Sequence, residues 1–112
     1  MENEVKAWLY DILNAIIEVE AFFVHGPKEL AEYKTDIRTK RAVERDIEII
    51  GEAMNRVLKQ DETIAISNSR KFVDVRNRII HGYDSVSDDI IWGVVMQYLP
   101  ILKIEIALLL GE

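Results

Sequence analysis

The chain has 112 residues, no cysteine, 49% apolar residues and a formal charge of −6. This length suits one helical domain over residues 1–112, able to bury about 65% of its unfolded surface around one core. The lack of cysteine excludes a disulfide framework and a thiolate nucleophile or metal site, and fits a reducing cytoplasm; the acidic balance excludes coating of nucleic acid through bulk positive charge.

The first helix is expected over residues 4–24. Trp8, Ile12, Ala15, Ile16, Val19 and Phe23 recur at three- and four-residue steps and make one apolar face. The acidic, amphipathic residues 1–13 lack the basic start of a signal peptide. His25-Gly26-Pro27 should end the helix, with Gly26 in a left-handed cap and Pro27 unable to continue. Thr35 or Asp36 can cap the second helix. Its buried stripe reads Ile37, Ala42, Val43, Ile47, Ile50, Met54 and Val57, and it fades near Asp61. Arg41, Arg45, Glu48 and Glu52 suit ion pairs between neighbouring turns.

Ser67, Asn68 and Ser69 offer caps for a third helix, with Phe72, Val75, Ile79 and Ile80 facing inward and Gly82 ending it. Ser87-Asp88-Asp89 starts the fourth, a cap followed by acids at the positive end of the helix dipole. This helix runs to about Leu110, and Pro100 inside it predicts a kink or a distorted turn over residues 96–99. Gln97, Pro100, Lys103 and Glu105 interrupt it, which argues against a membrane span and for the central helix of a soluble bundle. Apolar residues go nearly all round it, so it lies at the bundle centre or is partly covered by a second chain; a symmetric homodimer is favoured. The expected fold is all-α, an up-and-down four-helix bundle.

The chemistry concentrates in Arg76-Asn77-Arg78-Ile79-Ile80-His81-Gly82-Tyr83. An arginine, an amide, an imidazole and a phenol gather at one helix end. The positive stretches lie nearby: residues 34–60 carry seven Lys/Arg against five Asp/Glu, and residues 61–83 four against three. A local basic groove on an acidic protein fits transient RNA contact, although solvated helix faces give the same count. An imidazole can move a proton, and a guanidinium fork can hold a phosphate. Arg76 and His81, five apart, splay by about 140° on a straight helix. They converge only through the long arginine side chain, by unwinding at Gly82, or across a dimer. Asn77 and His81 share a face. The plain alternative is a helix-terminal His-Gly cap with Tyr83 packed beneath the bundle. No carboxylate/His cluster at metal spacing is evident, so neither a metal nor a cofactor is expected.

The string RNRIIHGY resembles the R-N-x-x-x-H-x-Y signature of HEPN domains of the HepT type. Residues 41–53, RAVERDIEIIGEA, resemble that family's R-A-x-E-R-x-x-E-x-I-G-E-A stretch, and Trp92 with mid-helix Leu99-Pro100 adds to the likeness. Together these cover most of the chain in the family's order. The resemblance implies an all-helical homodimer acting as a ribonuclease toxin, paired with an antitoxin that is a minimal nucleotidyltransferase of the MNT type. It implies catalysis by Arg76 and His81 from both subunits at the dimer interface, without metal, through attack of the RNA 2′-OH. Asn77 would support them, and Arg78 would extend the phosphate site or be a solvated charge. Tyr83 matches the tyrosine that the antitoxin can modify with AMP. The alternative is a catalytically silent HEPN module that docks a nucleotidyltransferase and positions its nucleotide or substrate.

Overall fold

The apolar periodicity is realised as helix. The computed structural model describes residues 1–82 and 87–112, and among these there is no strand. Helix α1 spans Asn3–Val24, α2 Leu30–Thr35, α3 Ile37–Gln60, α4 Ser69–Ile80 and α5 Asp88–Gly93. A π-helical turn, Val94–Tyr98, then leads into α6, Leu99–Leu110. Because α5, the π turn and α6 run on as one irregular helix, the fold is an all-α, HEPN-like bundle of four long arms with α2 as a short addition.

The core follows from two stripes that meet. Leu9, Ile12, Ile16 and Val19 of α1 face Val43, Ile47, Ile50, Met54 and Val57 of α3, and all are almost wholly buried. Burying each such side chain contributes about 1.5–3 kcal/mol, which is what holds the central pair together. Helix α4 packs on the other side of α3, and α6 lies along α1. Two expected caps form. Asp36 accepts from the Thr39 backbone N–H at 3.1 Å, and Ser87 accepts from that of Ile90 at 3.2 Å. Gly111, with φ +79°, closes α6 in the left-handed conformation.

Several expectations are corrected. Helix α1 does end at Val24, but Gly26 is not left-handed. The Lys28 ammonium instead donates to the carbonyls of Phe23 and Val24 at 3.1 and 3.0 Å, and a side chain at Gly26 would strike the Phe22 carbonyl. Helix α2 was not expected. Its Tyr33 is fully buried against Phe23 and Trp92, with ring centroids 6.2 and 5.5 Å away, so tertiary packing rather than periodicity makes this turn. Ile37 and Ile80, read as inward, are 66% and 41% exposed, because each sits at a helix end beyond the reach of the neighbouring arm. Asn68 takes the N-cap position of α4 in the left-handed conformation, with no side-chain cap hydrogen bond.

The last helix is not the bundle centre. Leu99, Leu102 and Ile106 are buried, while Ile101, Ile104 and Leu108 are 48%, 63% and 72% exposed. The run Asp88–Leu110 is long and apolar enough to cross a membrane by length and composition, and only 28% of its apolar window is buried. Its polar side chains nevertheless tie it to the bundle. Lys103 pairs with Glu20 of α1 at 2.9 Å, and Glu105 accepts from the Ser67 backbone N–H and hydroxyl at 2.9 and 2.7 Å.

The α1–α3 seam holds one buried acid. Asp46 is 2% exposed, and its Oδ2 meets no N–H or conventional donor. Burial pushes its carboxyl up to about 7, and a hydrogen bond to Glu18 adds to the rise, with Arg45 pulling weakly the other way. Both effects favour the protonated form of Asp46 beside Glu18.

Candidate functional site

Helix α4 carries SRKFVDVRNRII, with four cations and one acid over its length. Phe72, Val73 and Val75 anchor it in the core, which leaves its last turn to present the motif. Arg76 is half-buried against α3, where Gly51 makes room for it. A Cβ at Gly51 would lie 2.7 Å from the Phe72 carbonyl oxygen and run into the Arg76 Cβ. Glycine in a helix interior costs about 1 kcal/mol against alanine, and here that cost allows the backbones of α3 and α4 to approach where the arginine emerges. Gly51→Ala is therefore expected to destabilise the fold by about 1–3 kcal/mol, from overpacking net of better helix propensity, and to lower any activity that needs Arg76. Chemical denaturation beside an activity assay checks both.

The Arg76 guanidinium donates to the Asn77 side-chain oxygen at 3.0 Å. The helix closes one turn later. The His81 backbone N–H donates to the Asn77 carbonyl at 3.0 Å, and His81 is the C-cap, with an exposed side chain. Gly82 ends the helix as expected, since a Cβ there would strike the Arg78 carbonyl group. Among the described residues no hydrogen bond joins Arg76 to His81. The helix stays regular through Ile80, so unwinding does not bring the two together within one protomer. Arg78 is exposed on the same turn. Tyr83 lies outside the described residues.

Beside the motif runs an open groove of about 710 Å³, lined by Lys71, Asp74, Val75, Asn77, Arg78 and Ile90. Lys71 and Tyr98 were not singled out from the sequence. The Lys71 ammonium lies over the Tyr98 ring, 4.4 Å from its centroid, and Tyr98 ends the π turn. That wide turn is the distortion expected before Pro100, which has no N–H to donate to the preceding turn. The signal for Gly51 was a lone glycine inside a periodic helix. Two ion pairs form within α3: Arg45 with Glu48 at 3.6 Å and Arg56 with Glu52 at 3.0 Å. Burial raises the pKa of Glu44, with Arg41 and Lys40 opposing.

Comparison with known proteins gives the family of the chain. The family model described as ribonuclease HepT-like matches residues 12–109, which include all of α4 and most of every other long helix. A Methanocaldococcus jannaschii protein designated as an RNase is 34% identical over 110 residues, covering 94% of this chain and 95% of its own length. A second RNase-designated protein of that organism is 30% identical over 101 residues, covering 88% of this chain and 81% of its own. The "Probable ribonuclease HepT" of Thermococcus cleftensis is 30% identical over 106 residues, covering 92% and 93%. No solved structure matches the chain significantly. With a family match across most of its length and full-length relatives on every arm of the bundle, the chain belongs to the HepT-like ribonuclease family.

Proposed function

We propose that residues 1–112 form one domain that acts in the cytoplasm as the toxin of a toxin–antitoxin pair, a homodimeric endoribonuclease. The observation that carries this reading is the end of α4. There a half-buried Arg76 is braced by Asn77, which lines an open groove with Lys71 and Arg78, and an exposed His81 ends the helix, in a chain of a ribonuclease family. RNA supplies its own nucleophile. His81 takes the proton of the 2′-OH as that oxygen attacks the adjacent phosphorus; the P–O5′ bond breaks, the 5′-oxygen takes a proton from water and leaves as a hydroxyl, and a 2′,3′-cyclic phosphate remains. Arg76, oriented by Asn77, neutralises the charge that builds on the equatorial oxygens. Neither step calls on a metal.

The exposed Ile101, Ile104 and Leu108 of α6 support a dimer, since an apolar stripe of this kind is normally covered. In the proposed dimer Arg76 of one protomer meets His81 of the other, which answers the splay that a regular α4 imposes. The partner is an MNT-type nucleotidyltransferase antitoxin that transfers AMP to Tyr83. A nucleotide placed two residues from His81 blocks the cleft and sets negative charge where substrate phosphate must sit.

The shared site is tested by mixing two inactive variants. Arg76→Ala and His81→Ala, each inactive alone, should recover about one quarter of wild-type activity after subunit exchange, because half of the dimers are mixed and each of those has one intact site. No recovery after demonstrated exchange contradicts a site built from both protomers.

A further inference from the structure

Lys71 sits at the far end of the groove from the motif, and three features mark it out. It shares the groove wall with Asn77, whose amide braces Arg76. Its ammonium is held over the Tyr98 ring. No carboxylate pairs with it among the described residues, although Asp74 lines the same groove. A cation–π contact fixes the position of an ammonium while leaving N–H donors for a ligand, which a salt bridge to a carboxylate would spend. Tyr98 owes its place to the π turn, an irregularity that is costly in a helix and recurs at functional sites.

Six residues along α4 separate Lys71 from Asn77, about 9 Å along the helix axis. That is too far for both to hold one phosphate, and right for a neighbouring phosphate of the same strand. We propose that Lys71 is a substrate-binding residue that takes an RNA phosphate next to the scissile one, and that Tyr98 is its positioning residue. The groove along α4 is then the track of the single strand, and Lys71 fixes its register beside Asn77 and Arg78, next to the Arg76 that Asn77 braces. This rests on the ribonuclease reading above, but it concerns binding and can be tested apart from cleavage.

The test uses the purified full chain and a fluorescent mixed-sequence single-stranded RNA. Binding is measured against salt concentration, and cleavage is followed in parallel. Lys71→Ala should weaken binding about five- to tenfold and reduce the slope of log affinity against log salt by about 0.7–1. In cleavage it should raise KM more than it lowers kcat. Tyr98→Leu should reproduce this loss, Tyr98→Phe should retain wild-type binding, and Tyr98→Leu added to Lys71→Ala should have no further effect. Circular dichroism and thermal melting establish that the variants fold.

If wild type binds RNA and Lys71→Ala binds equally well with the same salt slope, the inference is overturned whether or not cleavage occurs. If Tyr98→Leu weakens binding just as much in the Lys71→Ala background, the positioning role is overturned. If RNA binds in a Lys71-dependent way without being cut, the inference stands and the ribonuclease reading falls. Wild type that neither binds nor cuts RNA overturns both.

Discussion

His81→Ala is expected to lower RNA cleavage by about 10²- to 10⁴-fold, the range over which a positioned general acid or base contributes, while leaving the fold intact. The imidazole is exposed at the C-cap, and the capping hydrogen bond comes from the His81 backbone N–H to the Asn77 carbonyl, which alanine keeps. The thermal midpoint should therefore move little. Chemically, His81 is the one imidazole at this helix end, and the guanidinium and amide side chains of Arg76, Asn77 and Arg78 offer no comparable proton acceptor. Arg76→Ala should be similarly inactive, with an added structural cost, because its stem fills the close approach between α3 and α4 at Gly51. Growth on expression of each variant without the proposed antitoxin provides the cellular readout: arrest by wild type and relief by His81→Ala.

The second large effect concerns stability and pH. Asp46 has an ordinary carboxyl pKa of 3.8 in the unfolded chain and about 7 in the folded one, raised by burial and by the hydrogen bond to Glu18. A raised folded pKa means that the native state holds a proton the unfolded chain has released. The stabilisation is present in full below pH 3.8 and is lost progressively as pH rises to about 7. Above it, the fold carries a buried carboxylate beside another carboxylate. Asp46→Asn has the same shape, can donate to Glu18 at any pH and never ionises. The advantage of the variant over wild type should be smallest at pH 4.5 and grow by a few kcal/mol towards pH 8. Urea denaturation across pH 4.5–8.5 measures this. Parallel curves for the two proteins would show that Asp46 is not the buried acid described here.

The contrast between what could and could not be read from the sequence has a physical pattern. Asp36 and Ser87 were legible as caps because capping is local: a short polar side chain meets an amide three residues on. The distorted turn before Pro100 was legible for the same reason, as a missing N–H disturbs its own helix. The stripes of α1 and α3 were legible through their period. What escaped depended on a partner distant in sequence. Helix α2 exists because Tyr33 packs in one cluster with Phe23 and Trp92, and neither of those rings lies in α2. Asp46 reads as one charge among many on α3 until Glu18 of α1 is set against it. The outward turn of Ile104 and Leu108 follows from which side of α6 meets α1, and an all-apolar helix carries no period to say so. The motif itself was visible as a string, whereas Gly51, which makes room for Arg76, and Lys71, which extends the site, came only with the packing of α3 and α4 and the turn at Tyr98.

The most direct test of the central claim is cleavage of end-labelled RNA by purified, partner-free protein in EDTA, beside His81→Ala. Intact mass is recorded first to show that Tyr83 carries no nucleotide. Cleavage by wild type alone, leaving cyclic-phosphate ends, is the predicted result. Unmodified wild type that leaves several RNA pools intact would contradict the ribonuclease assignment and point to the silent module that docks a nucleotidyltransferase.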